Sequence, residues 1–260
     1  MGNQGKWIWY ELMTPDPQGA KRFYEAVVGW TMSAGTPESN GYGFITAQDA
    51  AMVGGVLELN QEMVRHGALP CWLGYVCVDN TDDSLKAIEA AGGKVLMPAT
   101  DIAMAGRVAM VADCCGAPFY VMTPTPPPGG GESSAFSALP NPGHCGWNEL
   151  YAGNQDAAVK FYTALFGWTL PEAMDMGPMG KYQFIAKDGV QIGAIMTRPE
   201  AVPAPIWCHY FWVDGIEAAK ARIEASGGQV VNGPHEVPGP LWIVQGVDPQ
   251  GALFSLVGPK

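Results

Sequence analysis

The feature that most constrains this chain of 260 residues is that it repeats itself. An offset of 138 lays Trp9-Tyr10-Glu11-Leu12 on Trp147-Asn148-Glu149-Leu150, Phe23-Tyr24 on Phe161-Tyr162, and Gly29-Trp30-Thr31 on Gly167-Trp168-Thr169. With the alanine pairs Ala20/Ala158 and Ala26/Ala164 this makes ten identities over residues 9–31 without a gap. Further along the offset becomes 135, and Pro70, Trp72, Tyr75, Val78 and Asp79 fall on Pro205, Trp207, Tyr210, Val213 and Asp214. Ile88-Glu89-Ala90 then falls on Ile223-Glu224-Ala225, Gly92-Gly93 on Gly227-Gly228, and Asp113, Gly116, Ala117 and Phe119 on Asp248, Gly251, Ala252 and Phe254. Chance does not produce a colinear series of this length, so the chain is a tandem duplication. Between the copies, residues 123–143 (TPTPPPGGGESSAFSALPNPG) hold six prolines and four glycines, a composition that builds no core and reads as a linker. The expected organisation is a first domain at 1–122, the linker at 123–143 and a second domain at 144–260.

Charge and cysteine usage narrow the partners. Fourteen Lys and Arg against 25 Asp and Glu leave a net charge of −11, which argues against nucleic acid and anionic membrane, since both need a basic face. No apolar run approaches the length of about 18 residues that a spanning helix needs. The start, Met1 to Lys6, leads into a strand-like segment without the apolar region of a secretory leader. Six cysteines without any CxxC spacing suit reduced thiols in a cytoplasmic protein. The adjacent pair Cys114-Cys115 stands out, but a disulfide between neighbours would be strained. The remaining partner class is a small molecule, and nothing in the sequence indicates an oligomeric state.

Each half subdivides again. Trp7, Trp9, Glu11 and Met13 alternate with Ile8, Tyr10 and Leu12, the period of a strand with two distinct faces. Asp16-Pro17 opens a helix through Val28, carrying Ala20, Phe23, Tyr24 and Val27 at helical spacing and stopped by Gly29. Gly41–Ala47 and Gly54–Asn60 read as hairpin strands. Trp72–Asp79 reads as a strand leading into a helix over about residues 81–91, and Val95–Met97, Arg107–Ala112 and Ala117–Met122 as further strands. The expected fold is α+β, with four βαβββ modules in two cupped mixed sheets.

The run of strand, Asp or Asn turn, helix with Phe-Tyr and then Gly-Trp resembles the vicinal oxygen chelate superfamily, which includes glyoxalase I, bleomycin-resistance proteins and extradiol dioxygenases. The resemblance is carried by Phe23-Tyr24…Gly29-Trp30, by Phe161-Tyr162…Gly167-Trp168, and by the closing turn Asp248-Pro249-Gln250-Gly251. The first copy departs there, reading Asp113-Cys114-Cys115-Gly116. The resemblance implies two glyoxalase-like domains, each with a cup that holds a small molecule. In enzymes of the superfamily, four His, Gln or Glu side chains there hold a divalent metal that acts as a Lewis acid. By analogy those positions are Trp9, Glu58, Leu73 and Tyr120 in the first half, and Trp147, Met196, Cys208 and Ser255 in the second. Only Glu58 is a conventional ligand, so no metal quartet and no cofactor are expected; the resemblance alone leaves room for Ni, Zn, Fe or Mn.

Glu11 and Glu149 lie two residues beyond the tryptophans, on the same strand face, and are the expected acid or base if the protein is an enzyme. Fixing the fold by hydrogen bonds is the other reading of the same pair. Trp9, Tyr75, Tyr120, Trp147, Cys208, Tyr210, Trp212 and Ser255 are the expected ligand-facing set, against ordinary core packing. Glu58 and His235 are the remaining side chains suited to a metal, with His235 read as part of a Pro/Gly loop near Glu149 and Cys208. His209 reads as a core histidine, and Arg107 as a surface charge within reach of an anion. Three functions stay open: a metal-free binding protein, an enzyme of the lyase, isomerase or dioxygenase type, and a scaffold whose cups are filled by their own side chains.

Overall fold

A computed structural model describes residues 3–36, 39, 41–125 and 131–260; residues 1, 2, 37, 38, 40 and linker residues 126–130 lie outside the described residues. The first module comprises β1 (Trp7–Thr14), α1 (Pro17–Val27), β2 (Thr31–Met32), β3 (Gly43–Thr46) and β4 (Met52–Glu58), followed by a short helix, α2 (Gln61–Arg65). The second comprises β5 (Cys71–Cys77), α3 (Thr81–Ala90), β6 (Lys94–Ile102), β7 (Gly106–Ala112) and β8 (Pro118–Pro124). The third comprises β9 (Cys145–Ala152), α4 (Gln155–Phe166), β10 (Ala173–Asp175), β11 (Lys181–Lys187) and β12 (Val190–Thr197). The fourth comprises β13 (Ile206–Trp212), α5 (Ile216–Ala225), β14 (Gln229–Val237), β15 (Leu241–Val247) and β16 (Leu253–Gly258). Four βαβββ modules therefore form two mixed sheets of eight strands, ordered β2-β3-β4-β1-β5-β8-β7-β6 and β10-β11-β12-β9-β13-β16-β15-β14.

Local chemistry starts and stops the helices where the sequence signals them. The Asp16 side chain accepts from Gly19 N to cap α1, and Asn154 accepts from Ala157 N to cap α4. Gly167 closes α4 in the left-handed conformation at φ 65°, where a Cβ would be strained. Two departures have one cause. β6 extends well past Val95–Met97, and β14 contains the segment read as a loop around His235, although Pro98 and Pro234 lie within them. Both strands are sheet edges with register shifts, at Met97/Thr100 and Asn232/His235, and an edge strand tolerates proline because one side needs no ladder bonds. β2 and β10 are too short for alternation to reveal.

The chain divides into two compact units, each drawing on both copies. One contains Met1–Ile8, Gly74–Ser133 and Trp147–Trp207; the other contains Trp9–Leu73, Ser134–Gly146 and Cys208–Lys260. The repeated Phe-Tyr, Trp and Asp positions explain this grouping. In the first unit Trp207 Nε1 donates to Tyr162 OH at 2.9 Å, and Tyr162 donates to Asp113 Oδ2 at 3.2 Å. In the second Trp72 Nε1 donates to Tyr24 OH at 2.9 Å, and Tyr24 donates to Asp248 Oδ2 at 3.0 Å. Each aspartate's other oxygen accepts from its own turn: Cys115 N and Ala117 N on Asp113, Gln250 N and Ala252 N on Asp248. The departing turn Asp113–Gly116 thus has the same hydrogen bonds as its sister. Burial, and next the nearby carboxylate, push both phenols well above their usual range, so they remain protonated donors.

Glycine permits the closest backbone approach. A Cβ on Gly54 of β4 would stand 2.1 Å from Tyr10 O of β1, and one on Gly193 of β12 would stand 1.9 Å from Asn148 O of β9. Because the obstacle is backbone inside a paired ladder, Gly54→Ala or Gly193→Ala is expected to lower stability by about 2 kcal/mol or more. The check is a drop in the urea midpoint at unchanged slope; an unchanged midpoint would show that the ladder shifts freely.

Candidate functional site

A repeated aromatic–carboxylate cluster lies on the first and third modules. In the third, Trp147 Nε1 donates to Tyr182 OH at 2.9 Å and Tyr182 donates to Glu149 Oε2 at 2.5 Å. Strand alternation brings Trp147 and Glu149 to one face of β9, and Tyr182 reaches them from β11. Phe184 closes the group edge-on, its ring 5.9 Å from Trp147 and 5.4 Å from Tyr182. Desolvation first, then the Glu149 charge, hold the Tyr182 phenol well above its usual range, which fixes it as the donor to the carboxylate. Glu149 is 7% exposed while Trp147 is half-buried, so the carboxylate sits beneath an aromatic rim.

The first module repeats the tryptophan, tyrosine and phenylalanine of this arrangement. Trp9 Nε1 donates to Tyr42 OH at 2.9 Å, and Phe44 stands edge-on to both rings at 6.5 and 5.5 Å. Glu11 is 3% exposed on the Trp9 face of β1. Its charge is the second cause, after burial, that pushes the Cys71 thiol up to about 12, so Cys71 is not a nucleophile near neutrality. Tyr42 and Tyr182 are absent from the ligand-facing set read from the sequence. The signal was present: Tyr42-x-Phe44-Ile45 repeats as Tyr182-x-Phe184-Ile185 at an offset of 140, a drift caused by a loop of different length.

Glu58 does not join this cluster. Parallel pairing sets Glu11 opposite Gly55 and Thr14 opposite Glu58, so Glu58 belongs to the other face of the strands and is exposed. A shift of one residue reverses a strand side chain, and the position homologous to Met196 is Leu57. His235 is also corrected: it is exposed on strand β14, and its Nε2 meets Asn232 Oδ1 at 2.9 Å. Among the described residues no three His, Cys, Asp or Glu side chains gather closely enough to hold a metal ion. The donors on these faces therefore do not fit the superfamily's metal.

The other expected residues are distributed differently. Tyr75 on β5 and Tyr120 on β8 are buried and stack on one another, centroids 4.2 Å apart. Tyr210, Ser255 and the unforeseen Gln245 form a buried polar group, in which Gln245 Nε2 donates to Tyr210 OH at 3.1 Å and to Ser255 Oγ at 3.4 Å. Asn232 Nδ2 donates to Gln245 Oε1 at 2.9 Å and extends this group to His235 at the surface. Trp212 donates to Ser137 O at 2.9 Å and so anchors the segment before β9. Cys208 is buried, and His209 is a core histidine held neutral by burial, its pKa lowered to about 3. Arg107 is engaged by Asp82 and Asp101 at 2.8 and 3.0 Å, which makes it part of a surface ion network.

Comparisons with known proteins agree with this architecture. The sequence pattern of the Glyoxalase/Bleomycin resistance protein/Dioxygenase superfamily matches residues 7–120 and 142–256. The candidate glyoxylase CFP32 of Mycobacterium tuberculosis is 30% identical over 258 residues, covering 98% of this chain and 95% of the relative. The anthracycline biosynthesis protein DnrV of Streptomyces peucetius is 28% identical over 265 residues, covering 96% and 91%. Among solved structures, the Mn(II)-bound glyoxalase from Novosphingobium aromaticivorans superposes with a TM-score of 0.66 at 16% identity, covering 99% of this chain and 83% of that one. No helix among the described residues is long and apolar enough to cross a membrane. With both copies matched, this chain belongs to the Glyoxalase/Bleomycin resistance protein/Dioxygenase superfamily.

Proposed function

We propose that this protein binds a small aromatic or oxygenated molecule against its Trp–Tyr–Glu clusters, without the metal quartet of the superfamily's enzymes. The observation that carries the reading is the bonded series Trp147–Tyr182–Glu149, where an aromatic rim overlies a buried carboxylate. A planar molecule stacks on such a rim, and a hydroxyl on its edge donates to the carboxylate or to the phenol oxygen. Hydrogen bonding between Tyr182 and Glu149 orients that polar pair before any ligand arrives. The relationship to DnrV directs the choice of probe to a fluorescent anthracycline. Saturable quenching of tryptophan emission by that probe is expected. A flat titration with the anthracycline and with simple catechols would remove the reading. The reduced setting of a cytoplasm suits six cysteines that form no disulfide.

A second reading is favoured by the 2.5 Å contact itself: Glu149, or its sister Glu11, as an acid or base in a lyase or isomerase reaction. In this reading Tyr182 positions the carboxylate by donating a hydrogen bond to it, and the proton that Glu149 takes from the substrate returns to the substrate. The hemithioacetal of methylglyoxal and glutathione is the substrate to try, given the relationship to CFP32. Turnover that survives Glu149→Gln and Glu11→Gln together would exclude it. Independently of either reading, Tyr182→Phe removes a donor from a buried carboxylate and an acceptor from Trp147. A stability loss of about 1–3 kcal/mol is expected in chemical denaturation.

A further inference from the structure

We infer that Tyr151 sets the ligand preference of the third module's cluster, because it adds a second phenol where the first module has the thioether of Met13. The inference rests on the binding reading above and adds to it a difference between the two copies. Alternation along β9 puts Tyr151 on the face of Trp147 and Glu149, two residues beyond the carboxylate. Parallel pairing sets Tyr151 opposite Met196 of β12. Antiparallel pairing sets Gln183 of β11 opposite Ile195, so its neighbour Tyr182 comes opposite Met196 from the other side. The cross-strand row on this face is therefore Tyr151–Met196–Tyr182. In the first module Met13 lies opposite Leu57, and Gly43 lies opposite Val56, which brings Tyr42 opposite Leu57. That row reads Met13–Leu57–Tyr42, with a phenol at one end only.

Two further observations support the assignment. A Cβ on Gly55, which lies opposite Glu11, would meet Tyr42 OH at 2.1 Å, so the phenol of the first row does lie on the carboxylate's face. In the third module, burial first, and then the charge and hydrogen bond of Glu149, push the Tyr182 phenol up, and the Tyr151 phenol adds to them, which sets Tyr151 beside Tyr182. Both tyrosines are buried, whereas Trp147 above them is half-buried. Neighbouring strands lie about 4.8 Å apart, so the backbones at the two ends of a row stand about 10 Å apart, the length of a planar tricyclic ring system. The third module's cluster therefore suits a planar aromatic molecule with an oxygen function at each end. The first suits one with an oxygen at one end and an apolar remainder, because a thioether neither donates nor accepts strongly.

The test compares a monohydroxyanthraquinone with its analogue that has one hydroxyl on each outer ring, by quenching of tryptophan emission in the full-length protein. Trp9→Ala leaves the third module's cluster to be measured, and Trp147→Ala leaves the first. In the Trp9→Ala protein the dihydroxy probe should bind about tenfold more tightly than the monohydroxy probe, the worth of one buried hydrogen bond. Adding Tyr151→Phe should abolish that preference and leave affinity for the monohydroxy probe within about twofold. Tyr151→Met copies the sister row and should also abolish it. The Trp147→Ala protein should show no such preference. Loosening of the module would weaken both probes alike, so the ratio of the two affinities separates recognition from packing. A preference that survives Tyr151→Phe and Tyr151→Met would overturn the inference, as would an equal preference in the Trp147→Ala protein. Binding of both probes with equal affinity in the Trp9→Ala protein would overturn it while leaving the binding reading intact; binding of neither probe to the wild type would remove both.

Discussion

Replacing Asp113 or Asp248 with alanine is expected to cost about 3–5 kcal/mol each, because three buried donors lose their acceptor at once. Each carboxylate accepts from two backbone N–H groups and one tyrosine, and alanine leaves all three donors buried without that acceptor. Truncation also breaks the tie between the two copies, because Tyr24 and Asp248 lie at opposite ends of the sequence. Asparagine keeps one acceptor oxygen and should lose less. Chemical denaturation of the two alanine variants decides the matter; a loss below about 1 kcal/mol would mean that water replaces the carboxylate.

The same pair predicts a pH dependence of definite sign. Burial, the largest cause, raises both carboxyl groups above their usual range despite the hydrogen bonds that oppose it. A folded value above the unfolded one means that the contribution is fully present below about pH 3.9 and is lost as pH rises through the folded value. The stability of the wild type relative to Asp113→Asn and Asp248→Asn should therefore decline as pH rises from about 4 towards neutrality. A difference that grows with pH would show that the hydrogen bonds outweigh burial.

Trp147→Ala carries the largest expected effect on binding. A half-buried indole, held by its N–H and flanked edge-on by Phe184, is a rigid anchor, and loss of such an anchor is worth about 2 kcal/mol, or roughly 30-fold in Kd. Trp9→Ala is the internal control, because the first copy has the same cluster with the same hydrogen bond. Equal losses in the two variants would assign binding to both copies; a loss confined to one would assign it to that copy. Retention of wild-type affinity in the Trp9→Ala/Trp147→Ala double variant would detach the ligand from these rims altogether.

Much of the architecture was legible from the duplication. Colinear identities announced two copies, and alternating strands with Asp or Asn caps and terminal glycines announced four βαβββ modules. Legibility failed where the period is short or where an edge relaxes the rules. β2 has two residues, and β6 and β14 run through prolines that a central strand would exclude. The candidate clusters were legible in part. Trp9, Glu11, Trp147 and Glu149 follow from alternation, whereas Tyr42 and Tyr182 come from strands whose offset drifts. Glu58 was misplaced because its face depends on the register of β4 against β1, which no single strand discloses.

The sequence by itself determined the duplication, the modules, the sites where helices begin and end, and the two carboxylates beside their tryptophans. These are properties of neighbours along the chain, governed by side-chain period and local hydrogen bonding. Only the tertiary structure decided that Tyr24 meets Asp248 and that Tyr162 meets Asp113, that tyrosines from β11 and the segment before β3 complete the clusters, and that Glu58 turns away. Those outcomes depend on strand register and on burial against distant segments, where one residue of slip reverses a face and a hydrogen-bond partner stands more than two hundred residues away.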